Sequence, residues 1–574
     1  MHPRSVLAGV LPATLIASIT LVAVSGQSAL AKSDFTAKPF MGWSSWSVES
    51  STRSGYGTGW LTENNIKNAT DAVAGKLKAA GYSYINIDAG WNATLSWNFH
   101  TDANGVPDPE PARFPSGMAS LASYIHGKGL KSGIYLGIGL EKEAYDKNAP
   151  IAGTGCHTQD VAVQPLTATN GWGSNWKIDY SKSCAQSYLD SIADRFASWG
   201  IDFIKIDGVT TDNVADIAAW SRAIDQSGRQ MYLTASAWPI PVSIAGALRP
   251  YANGVRVDTD VECYCATVSS WGSSVSARWN DLPNWLGYVA PNYWPDLDSM
   301  PISNNTGSGI QDGLNDTERQ TVMTFWSMAS APLYVGGDVY FLDNTAVAIL
   351  TNPEVIGVDQ AGRIPTRITA GTLQVWKKQM PDGSTVAAVF NLGSGSSTIT
   401  VNLASLGLSG TLAVRDLVSR TELGTAYGSW TASGVPAHGS RLVRLTPAVG
   451  APITGIGSKC VDISGGNTAD GAGITMYTCN GQTNQFWSHY GNTFQSLGKC
   501  LDVAGGATAN STRVQLWTCN NSGAQQWTAP GDGTLHNPQS GRCLDAAGGG
   551  TADGTPVIIF DCGGGANQRW TYPS

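Results

Sequence analysis

The amino-acid sequence predicts three folded domains: a (β/α)8 barrel over residues 35–365, an antiparallel β-sandwich over 366–447 and a threefold-repeat β domain over 453–574. Three observations lead to this prediction. Short apolar runs alternate with longer amphipathic segments in the first part of the chain. Runs of β-branched residues separated by Gly and Ser turns follow, and one segment containing Cys and Trp then occurs three times.

Residues 1–31, ahead of the barrel, are predicted to be a secretory signal peptide. Arg4 supplies a positive charge, the stretch from Val6 to Val24 contains no charged residue, and Ala29-Leu30-Ala31 has the small-x-small pattern of a cleavage site. A membrane anchor is the alternative, because the apolar run approaches the roughly 18–20 residues that span a bilayer. We therefore expect a secreted, extracellular protein that has no membrane partner.

Composition bears on the class of ligand. The formal net charge of −8, with only 14% of residues charged, argues against nucleic acid and against an anionic membrane surface. The 21 tryptophans suit a carbohydrate ligand, because the apolar face of a pyranose ring can stack on indole. They equally suit a large apolar core.

The barrel prediction depends on strands that follow helix-like runs. Three such strands, Tyr82–Asp88, Leu130–Tyr135 and Ile201–Asp207, come after amphipathic segments, and no Gly-rich dinucleotide fingerprint supports an open doubly wound sheet instead. In a (β/α)8 barrel the active site lies at the C-terminal ends of the strands. The polar residues at these ends are Asp88, Tyr135, Lys205, Asp207 and Asp260.

Asp207 is the strongest single candidate for chemistry. It ends an apolar strand, and Lys205 lies two residues earlier on the same strand face. A neighbouring ammonium keeps a carboxylate ionised, as a nucleophile in glycoside hydrolysis requires. A buried salt bridge at a strand end is the alternative interpretation of this pair.

A set of motifs in the barrel resembles glycoside hydrolase family 27, the α-galactosidase and α-N-acetylgalactosaminidase family. The motifs are Met41-Gly42-Trp43-Ser44-Ser45-Trp46, Asn86-Ile87-Asp88-Ala89-Gly90-Trp91, Lys205-Ile206-Asp207-Gly208, Arg256-Val257-Asp258-Thr259-Asp260, Trp294-Pro295-Asp296-Leu297-Asp298 and Gly313–Glu318 through Ala331–Asp338. The resemblance implies a retaining mechanism with Asp207 as nucleophile and Asp260 as acid/base, and it implies neither a metal nor an organic cofactor. It places in the glycone subsite Trp46, Asp88, Tyr135, Lys205, Arg256 and Asp298.

Three positions depart from the pattern of that family. Ala89 replaces the second of two paired aspartates that grip the axial O4 and the O6 of galactose, Ala237 replaces a glutamate that excludes an N-acetyl group, and Ser299 replaces a methionine. Three substrate readings therefore stay open: an α-galactosidase, which we favour, an α-glucan exo-hydrolase of isomalto-dextranase type, and an α-N-acetylgalactosaminidase. A catalytically inactive, lectin-like binding protein is a fourth reading, disfavoured because Asp207 and Asp260 are both present.

The segment over 366–447 alternates β-branched residues with Gly and Ser turns, as in Thr385-Val386-Ala387-Ala388-Val389-Phe390-Asn391. This pattern is typical of antiparallel strands and predicts a small β-sandwich. The resemblance to glycoside hydrolase family 27, which has such a domain directly after its barrel, implies a role in packing and stability and none in chemistry. Pro447 to Pro452 is predicted to be a short linker.

Six of the ten cysteines form three pairs, each 19 positions apart, in the repeats: Cys460 with Cys479, Cys500 with Cys519 and Cys543 with Cys562. In an exported chain this regularity predicts one disulfide per repeat, and the spacing does not suit zinc. A bridge between Cys156 and Cys184 is also predicted, while the pairing of Cys263 and Cys265 stays open.

The repeats, each with a Cys-x-Asp and a later Gln-x-Trp, resemble the ricin-type β-trefoil lectins of carbohydrate-binding module family 13. The tryptophans are predicted to form the shared core. The resemblance implies sugar binding in the first repeat by Asp462, Tyr477, Asn480, Asn484 and Gln485, in the second by Asp502, Trp517, Asn520 and Gln525, and in the third by Asp545, Phe560, Asn567 and Gln568. The first site is ranked best formed, because Ala524 and Gly563 replace polar residues in the others and Phe560 lacks a hydroxyl.

Together these features predict a secreted, exo-acting, retaining α-glycoside hydrolase. Its partners are predicted to be an oligosaccharide or polysaccharide substrate and a carbohydrate ligand of the lectin domain.

Overall fold

The computed structural model describes residues 36–170, 172–237 and 239–573, with the side chain of residue 273 left out. The predicted signal peptide over 1–31 lies outside these residues. Within the described part of the chain, no helix has the length and apolar character needed to cross a membrane.

Eight parallel strands form the first domain. Their bounds are β1 Met41–Ser44, β2 Tyr84–Ile87, β3 Lys131–Gly137, β4 Ile201–Asp207, β5 Tyr232–Ala235, β6 Gly254–Arg256, β7 Trp294–Asp296 and β8 Leu333–Val335. The order across the sheet is β7-β6-β5-β4-β3-β2-β1-β8. A parallel bridge between Met300, just beyond β7, and Val335 of β8 joins the two ends of this order. The predicted barrel is therefore confirmed.

Helices cover the outside of the barrel. They are α1 Trp46–Glu49, α2 Glu63–Lys76, α3 Gly117–Gly127, α4 Lys142–Lys147, α5 Ala185–Trp199, α6 Val214–Gln226, α7 Ala245–Leu248, α8 Arg278–Trp285, α9 Asp316–Ala329, α10 Asn344–Leu350 and α11 Pro353–Asp359. A capping box begins α9: the Asn315 side chain accepts from the Glu318 backbone N–H, and the Glu318 carboxylate accepts from the Asn315 N–H. Gly200, at φ 84°, ends α5 just before β4 begins.

The second domain is antiparallel throughout, as predicted. Its strands are β9 Thr366–Thr369, β10 Leu373–Gln379, β11 Thr385–Asn391, β12 Ser397–Asn402, β13 Thr411–Asp416, β14 Thr421–Tyr427, β15 Ser429–Val435 and β16 Ser440–Pro447, in the order β9-β10-β11-β16-β13-β14-β15-β12. Buried apolar side chains such as Val389, Val401 and Leu412 form a core of its own.

Polar contacts fix this sandwich to the barrel. The buried Lys378 of β10 donates from Nζ to the Ser327 carbonyl oxygen at 2.7 Å and to the Ser330 Oγ at 2.7 Å, both at the end of α9. His438 stacks on Trp271 with ring centroids 4.7 Å apart. The buried Lys378 ammonium group finds these hydrogen-bond acceptors only when the two domains are packed together. The contact therefore holds the sandwich against the end of α9.

The third domain has three similar units built from short antiparallel strands. These are β17 Ala451–Pro452, β18 Thr454–Gly455, β19 Lys459–Ile463, β20 Ala472–Thr478, β21 Phe486–Tyr490, β22 Thr493–Ser496, β23 Lys499–Val503, β24 Thr512–Trp517, β25 His536–Asn537, β26 Arg542–Ala546 and β27 Thr555–Phe560. Trp487, Trp527 and Trp570 are buried in one core, and each indole N–H donates to the carbonyl oxygen of the residue after the first Cys of its repeat. The predicted trefoil and its tryptophan core are confirmed.

The trefoil is in direct contact with the sandwich. The Gln495 side-chain oxygen accepts from the Thr425 backbone N–H at 2.8 Å and from the Thr425 Oγ1 at 3.2 Å. The predicted linker is largely structured, since β16 ends at Pro447 and β17 pairs with β21. The trefoil is therefore docked on the sandwich.

Five disulfides are formed in the structure. Three of them join the paired cysteines of the repeats, a fourth joins Cys156 to Cys184, and the fifth joins Cys263 to Cys265. The last of these answers the pairing that the sequence left open.

Candidate active site

A pocket of about 420 Å³ opens at the C-terminal ends of the barrel strands. Its lining combines charged groups with an aromatic wall and comprises Trp46, Asp88, Ala89, Trp97, Phe99, Tyr135, Trp172, Ser174, Lys205, Asp207, Ala237, Asp260 and Tyr264. Six of the eight residues predicted for the barrel site are in this list. The other two, Arg256 and Asp298, are buried: Arg256 binds Asp260 of the lining, and Asp298 binds Arg256.

Lys205 links two carboxylates on one side of the pocket. Its Nζ lies 3.0 Å from Asp88 Oδ2 and 3.9 Å from Asp207 Oδ2. The Gly208 backbone N–H donates to Asp207 Oδ1 at 2.8 Å. Burial acts to lower the pKa of Lys205, but the Asp88 and Asp207 carboxylates raise it above its ordinary value. Lys205 thus stays charged and places its ammonium group between the two carboxylates.

Tyr135 and Asp88 complete this side of the pocket. Burial, followed by the charges of Asp207 and Asp88, raises the pKa of the Tyr135 phenol well above its ordinary value, so it remains a proton donor. Burial also raises the pKa of Asp88, against the opposing charge of Lys205. The Asp88 backbone N–H donates to Ser45 Oγ at 2.9 Å, which fixes the turn after β2.

Arg256 binds two carboxylates on the opposite side of the pocket. It donates from Nη1 to Asp260 Oδ1 at 2.8 Å and to Asp298 Oδ2 at 3.0 Å. Asp298 also accepts from the Val261 backbone N–H at 2.8 Å and from the Tyr334 hydroxyl at 3.0 Å. Burial opposes its ionisation, yet Arg256 and the other nearby cations hold the pKa of Asp298 below its ordinary value. With its oxygens engaged in this way, Asp298 anchors Arg256 beneath the pocket.

Asp260, Glu262 and Asp298 bring carboxylate oxygens within 4.8 Å of one another, a spacing that a metal ion could use. Arg256 already binds the first and third of them. Burial, followed by the charges of Asp298 and Asp260, raises the pKa of Glu262 well above its ordinary value, which disfavours the carboxylate form that a metal would require. The positive charge at this cluster is therefore supplied by the chain itself, and the donor set does not fit a metal.

Four aromatic residues of the pocket are absent from the sequence prediction: Trp97, Phe99, Trp172 and Tyr264. Trp97, Trp172 and Tyr264 are each between 41% and 49% exposed, which is unusual for such large side chains. They belong to loops beyond strand ends, where strand patterns carry no information. The one available signal is the position of Tyr264, four residues after Asp260 and between two cysteines.

The three positions that depart from the pattern of family 27 lie in the pocket or just below it. Ala89 and Ala237 both line it, and their methyl groups take the places where the resemblance implies carboxylates. Ser299 is buried below, where its hydroxyl donates to Glu262 Oε1 at 3.2 Å. The pocket therefore holds one carboxylate, Asp88, where the resemblance implies a pair.

In the trefoil, each predicted sugar-binding Asp is held by the Gln of the same repeat. The Nε2 group of Gln485 donates to Asp462 Oδ2 at 2.9 Å, and the same contact occurs from Gln525 to Asp502 and from Gln568 to Asp545. The glutamines are buried, so they orient the aspartates and do not face solvent.

The aromatic residues of the trefoil sites, Tyr477, Trp517 and Phe560, are each about two-fifths exposed, as a stacking surface must be. Asn484 donates to Asp462, and Asn567 donates to Asp545. In the second repeat, where Ala524 replaces this Asn, Gln515 donates to Asp502 Oδ1 instead. Asn520 uses its backbone N–H and its side chain to shape the following turn, as Asn480 does in the first repeat.

The third repeat also forms a cavity of about 400 Å³, whose lining includes Arg513, Asp545, Phe560 and Asn567. A charged and an amide side chain beside an exposed aromatic ring are what a sugar needs for hydrogen bonding and stacking. The third repeat therefore keeps room for a ligand although Gly563 replaces a polar residue there.

Sequence comparison divides the chain in the same way. Residues 38–147 and 170–361 match the family described as "Alpha galactosidase A". Residues 370–445 match the "Alpha galactosidase C-terminal beta sandwich domain", and residues 451–572 match the "Ricin-type beta-trefoil lectin domain". These matches cover all three domains.

Individual proteins agree. An α-galactosidase from Coffea arabica is 30% identical over 418 residues, which cover 71% of this chain and 94% of the relative. A β-L-arabinopyranosidase of family GH27 from Geobacillus stearothermophilus superposes with a TM-score of 0.64 at 28% identity, covering 72% of this chain and 98% of that structure. For α-galactosidase I from Mortierella vinacea the TM-score is 0.53 at 25% identity, with coverage of 72% and 98%. The chain belongs to the α-galactosidase A family of glycoside hydrolases and carries a ricin-type β-trefoil lectin domain at its C-terminal end.

Proposed function

We propose that this enzyme is a secreted, exo-acting, retaining glycosidase that removes a terminal sugar of α-D-galactose type, and that Asp207 and Asp260 are its nucleophile and its acid/base. The observation that supports this most directly is their placement in one pocket. Asp207 lies 3.9 Å from the Lys205 ammonium group, and Asp260 binds Arg256 while also lining the pocket.

The proposed reaction takes two displacements. Asp207 attacks the anomeric carbon while Asp260 gives its proton to the glycosidic oxygen, so the C1–O bond breaks and a covalent glycosyl–Asp207 ester forms. Asp260 then removes a proton from water, the water oxygen attacks C1, and Asp207 leaves as a carboxylate. Lys205 and Tyr135 stay protonated and supply donors to the hydroxyls of the sugar and to the nucleophile.

The shape of the site supports exo action on a larger glycan. Asp88 is buried and the side chains of Lys205, Asp207 and Asp260 are only 13–20% exposed, whereas Trp97, Trp172 and Tyr264 are more than 40% exposed. A terminal sugar fits among hydrogen-bonding groups, and the next sugar of the chain meets aromatic faces.

We expect the first product to have the anomeric configuration of the substrate. A covalent intermediate is formed and broken with inversion at each step, so the net result is retention. ¹H NMR of the anomeric proton during the first minutes of p-nitrophenyl α-D-galactoside cleavage measures this before mutarotation. Initial release of the β anomer would reject the mechanism. No turnover of any α-glycoside, of dextran or of a β-L-arabinopyranoside would reject the enzyme assignment.

A second candidate substrate is a β-L-arabinopyranoside, which is favoured by Ala89. This sugar has the ring stereochemistry of an α-D-galactoside but lacks the hydroxymethyl group and therefore one hydroxyl. A pocket with one carboxylate, Asp88, next to the Ala89 methyl group suits a sugar with one hydroxyl fewer. The GH27 structure from Geobacillus stearothermophilus, which is described as a β-L-arabinopyranosidase, supports the same possibility.

We also propose that the trefoil binds the polysaccharide on which the barrel acts. Two features shared by the three repeats support this proposal: a buried aspartate that is oriented by a glutamine, and an exposed aromatic ring. The five disulfides support export to an oxidising compartment. N-terminal sequencing of protein from the culture medium checks the predicted cleavage after Ala31.

Replacing Asp545 with Ala should weaken retention of the enzyme on an insoluble substrate polysaccharide by about tenfold at that site, because the ligand loses a charged hydrogen-bond partner. We expect kcat for a p-nitrophenyl glycoside to stay unchanged, since the pocket is untouched. Affinity electrophoresis measures the retention, and Asp532→Ala, on an exposed turn of the same domain, is the control. Unchanged retention in Asp545→Ala would contradict a binding role for this repeat.

A further inference from the structure

A short loop directly after Asp260 is closed by the disulfide between Cys263 and Cys265. Tyr264, the residue between them, has φ 52°, a left-handed conformation that bulky residues rarely adopt. The loop is anchored on both sides: the Thr52 N–H donates to the Cys265 carbonyl oxygen at 2.9 Å, and the Cys263 N–H donates to the Val268 carbonyl oxygen at 3.1 Å. This backbone holds the Tyr264 side chain in one direction, into the pocket.

The Tyr264 hydroxyl donates a hydrogen bond to Asp260 Oδ2. The other oxygen of the same carboxylate, Oδ1, accepts from Arg256 at 2.8 Å. Burial, followed by the Asp260 charge, raises the pKa of the Tyr264 phenol well above its ordinary value, so it remains a donor throughout the neutral pH range.

We propose that Tyr264, held by the Cys263–Cys265 bridge, is a positioning residue that fixes the carboxyl group of Asp260 and stabilises its ionised form. The inference rests on the proposed role of Asp260 as acid/base. When Asp260 has given its proton to the leaving oxygen, it carries a full negative charge, and Arg256 and Tyr264 each bind one of its oxygens. Proton donation to a poor leaving group is thereby favoured.

Several charged or titratable groups face Asp260. They come from four strand ends and the loop itself, and they are Arg256, Lys205, Asp207, Tyr135, Glu262, Asp298 and Tyr264. Tyr264 differs from Tyr135, the other phenol among them, because its hydroxyl donates directly to Asp260. That hydroxyl can be removed while the ring and the loop stay in place.

The test is Tyr264→Phe in the full-length enzyme, assayed with glycosides of graded leaving-group acidity. We expect kcat/KM for a methyl or disaccharide substrate to fall about 10- to 100-fold. For a 2,4-dinitrophenyl glycoside, whose leaving group needs no proton, we expect less than about a threefold change. The alkaline limb of the kcat/KM profile should move to higher pH, because a donor to the ionised acid has been removed.

The double variant Cys263→Ser/Cys265→Ser keeps the hydroxyl but opens the loop, and it should move the alkaline limb in the same direction. Tyr124→Phe is the matched control, since Tyr124 donates to the Asp71 carboxylate at 2.9 Å on the outside of the barrel. Equal losses for both classes of leaving group in Tyr264→Phe, or an unmoved alkaline limb, would overturn the inference. A double variant with the wild-type profile would overturn the role of the bridge.

Asp260→Ala separates this inference from the proposed function. With azide and a 2,4-dinitrophenyl glycoside, that variant should form a glycosyl azide of retained configuration, because azide replaces the water that Asp260 activates. Absence of this product would reject the acid/base assignment itself. If the azide product forms while Tyr264→Phe behaves like the wild type, only the positioning role fails.

Discussion

Asp207→Ala is expected to lower kcat by about 10⁴-fold or more on every glycoside that the wild type cleaves. The covalent ester cannot form without this carboxylate, and loss of a nucleophile removes most of the rate enhancement of an enzyme that uses one. Lys205 remains in the pocket and still pairs with Asp88 at 3.0 Å, so the site should keep its shape and bind the sugar. Steady-state kinetics with an aryl glycoside measure the loss.

Added azide provides the sharper readout. In Asp207→Ala it can enter from the face that the carboxylate has left and should give a glycosyl azide of inverted configuration, the opposite of the Asp260→Ala product. Asp146→Ala, at an exposed position of α4, is the control for aspartate loss on the same domain. Wild-type kcat in Asp207→Ala, or an azide product of retained configuration, would refute the assignment.

Ala89→Asp should shift the selectivity of the enzyme toward α-D-galactosides. A carboxylate at this position adds a charge-assisted hydrogen bond to a sugar hydroxyl, worth about 1.5–3 kcal/mol, or roughly a 10- to 150-fold change. We expect this change in the ratio of kcat/KM for p-nitrophenyl α-D-galactoside over kcat/KM for p-nitrophenyl β-L-arabinopyranoside. The ratio is the quantity to follow, because a second carboxylate next to Asp88 affects the absolute rates for both sugars.

Ala89→Asn matches the new side chain in size but lacks its charge, and we expect a smaller change in the ratio. An unchanged ratio in Ala89→Asp would mean that position 89 does not face the hydroxyl in which the two sugars differ. Ala237, the other alanine of the pocket, would then be the next position to test for its effect on substrate selectivity.

The parts of this site that sequence predicts are those fixed by regular strands. Asp207 and Lys205 alternate on an apolar strand whose observed bounds, Ile201–Asp207, are those predicted, and Asp88 directly follows β2. Because parallel strands of a barrel end on one rim, their last polar residues must meet there. Local pattern is sufficient for such residues.

The remainder depends on contacts between distant segments. Trp97, Trp172 and Tyr264 reach the pocket from loops whose course is set by long-range hydrogen bonds, such as the one between Thr52 and Cys265. No local periodicity encodes that course. In the same way, Gln485 can be predicted to belong to a lectin motif, but only the folded trefoil reveals that it lies buried behind Asp462.

The hydrogen bonds from Thr425 to Gln495 determine how the two carbohydrate-binding parts of this enzyme cooperate. A domain on a free tether would raise the local concentration of the enzyme around its anchor and would sample many chain ends. A docked domain, whose linker pairs as a strand, carries its three sites at a constant spacing and orientation from the pocket. With the trefoil bound to the substrate polysaccharide, as proposed above, we expect the enzyme to prefer glycans whose branch ends recur at a matching separation. The architecture of the polysaccharide, and not only its terminal sugar, would then govern which bonds are cut.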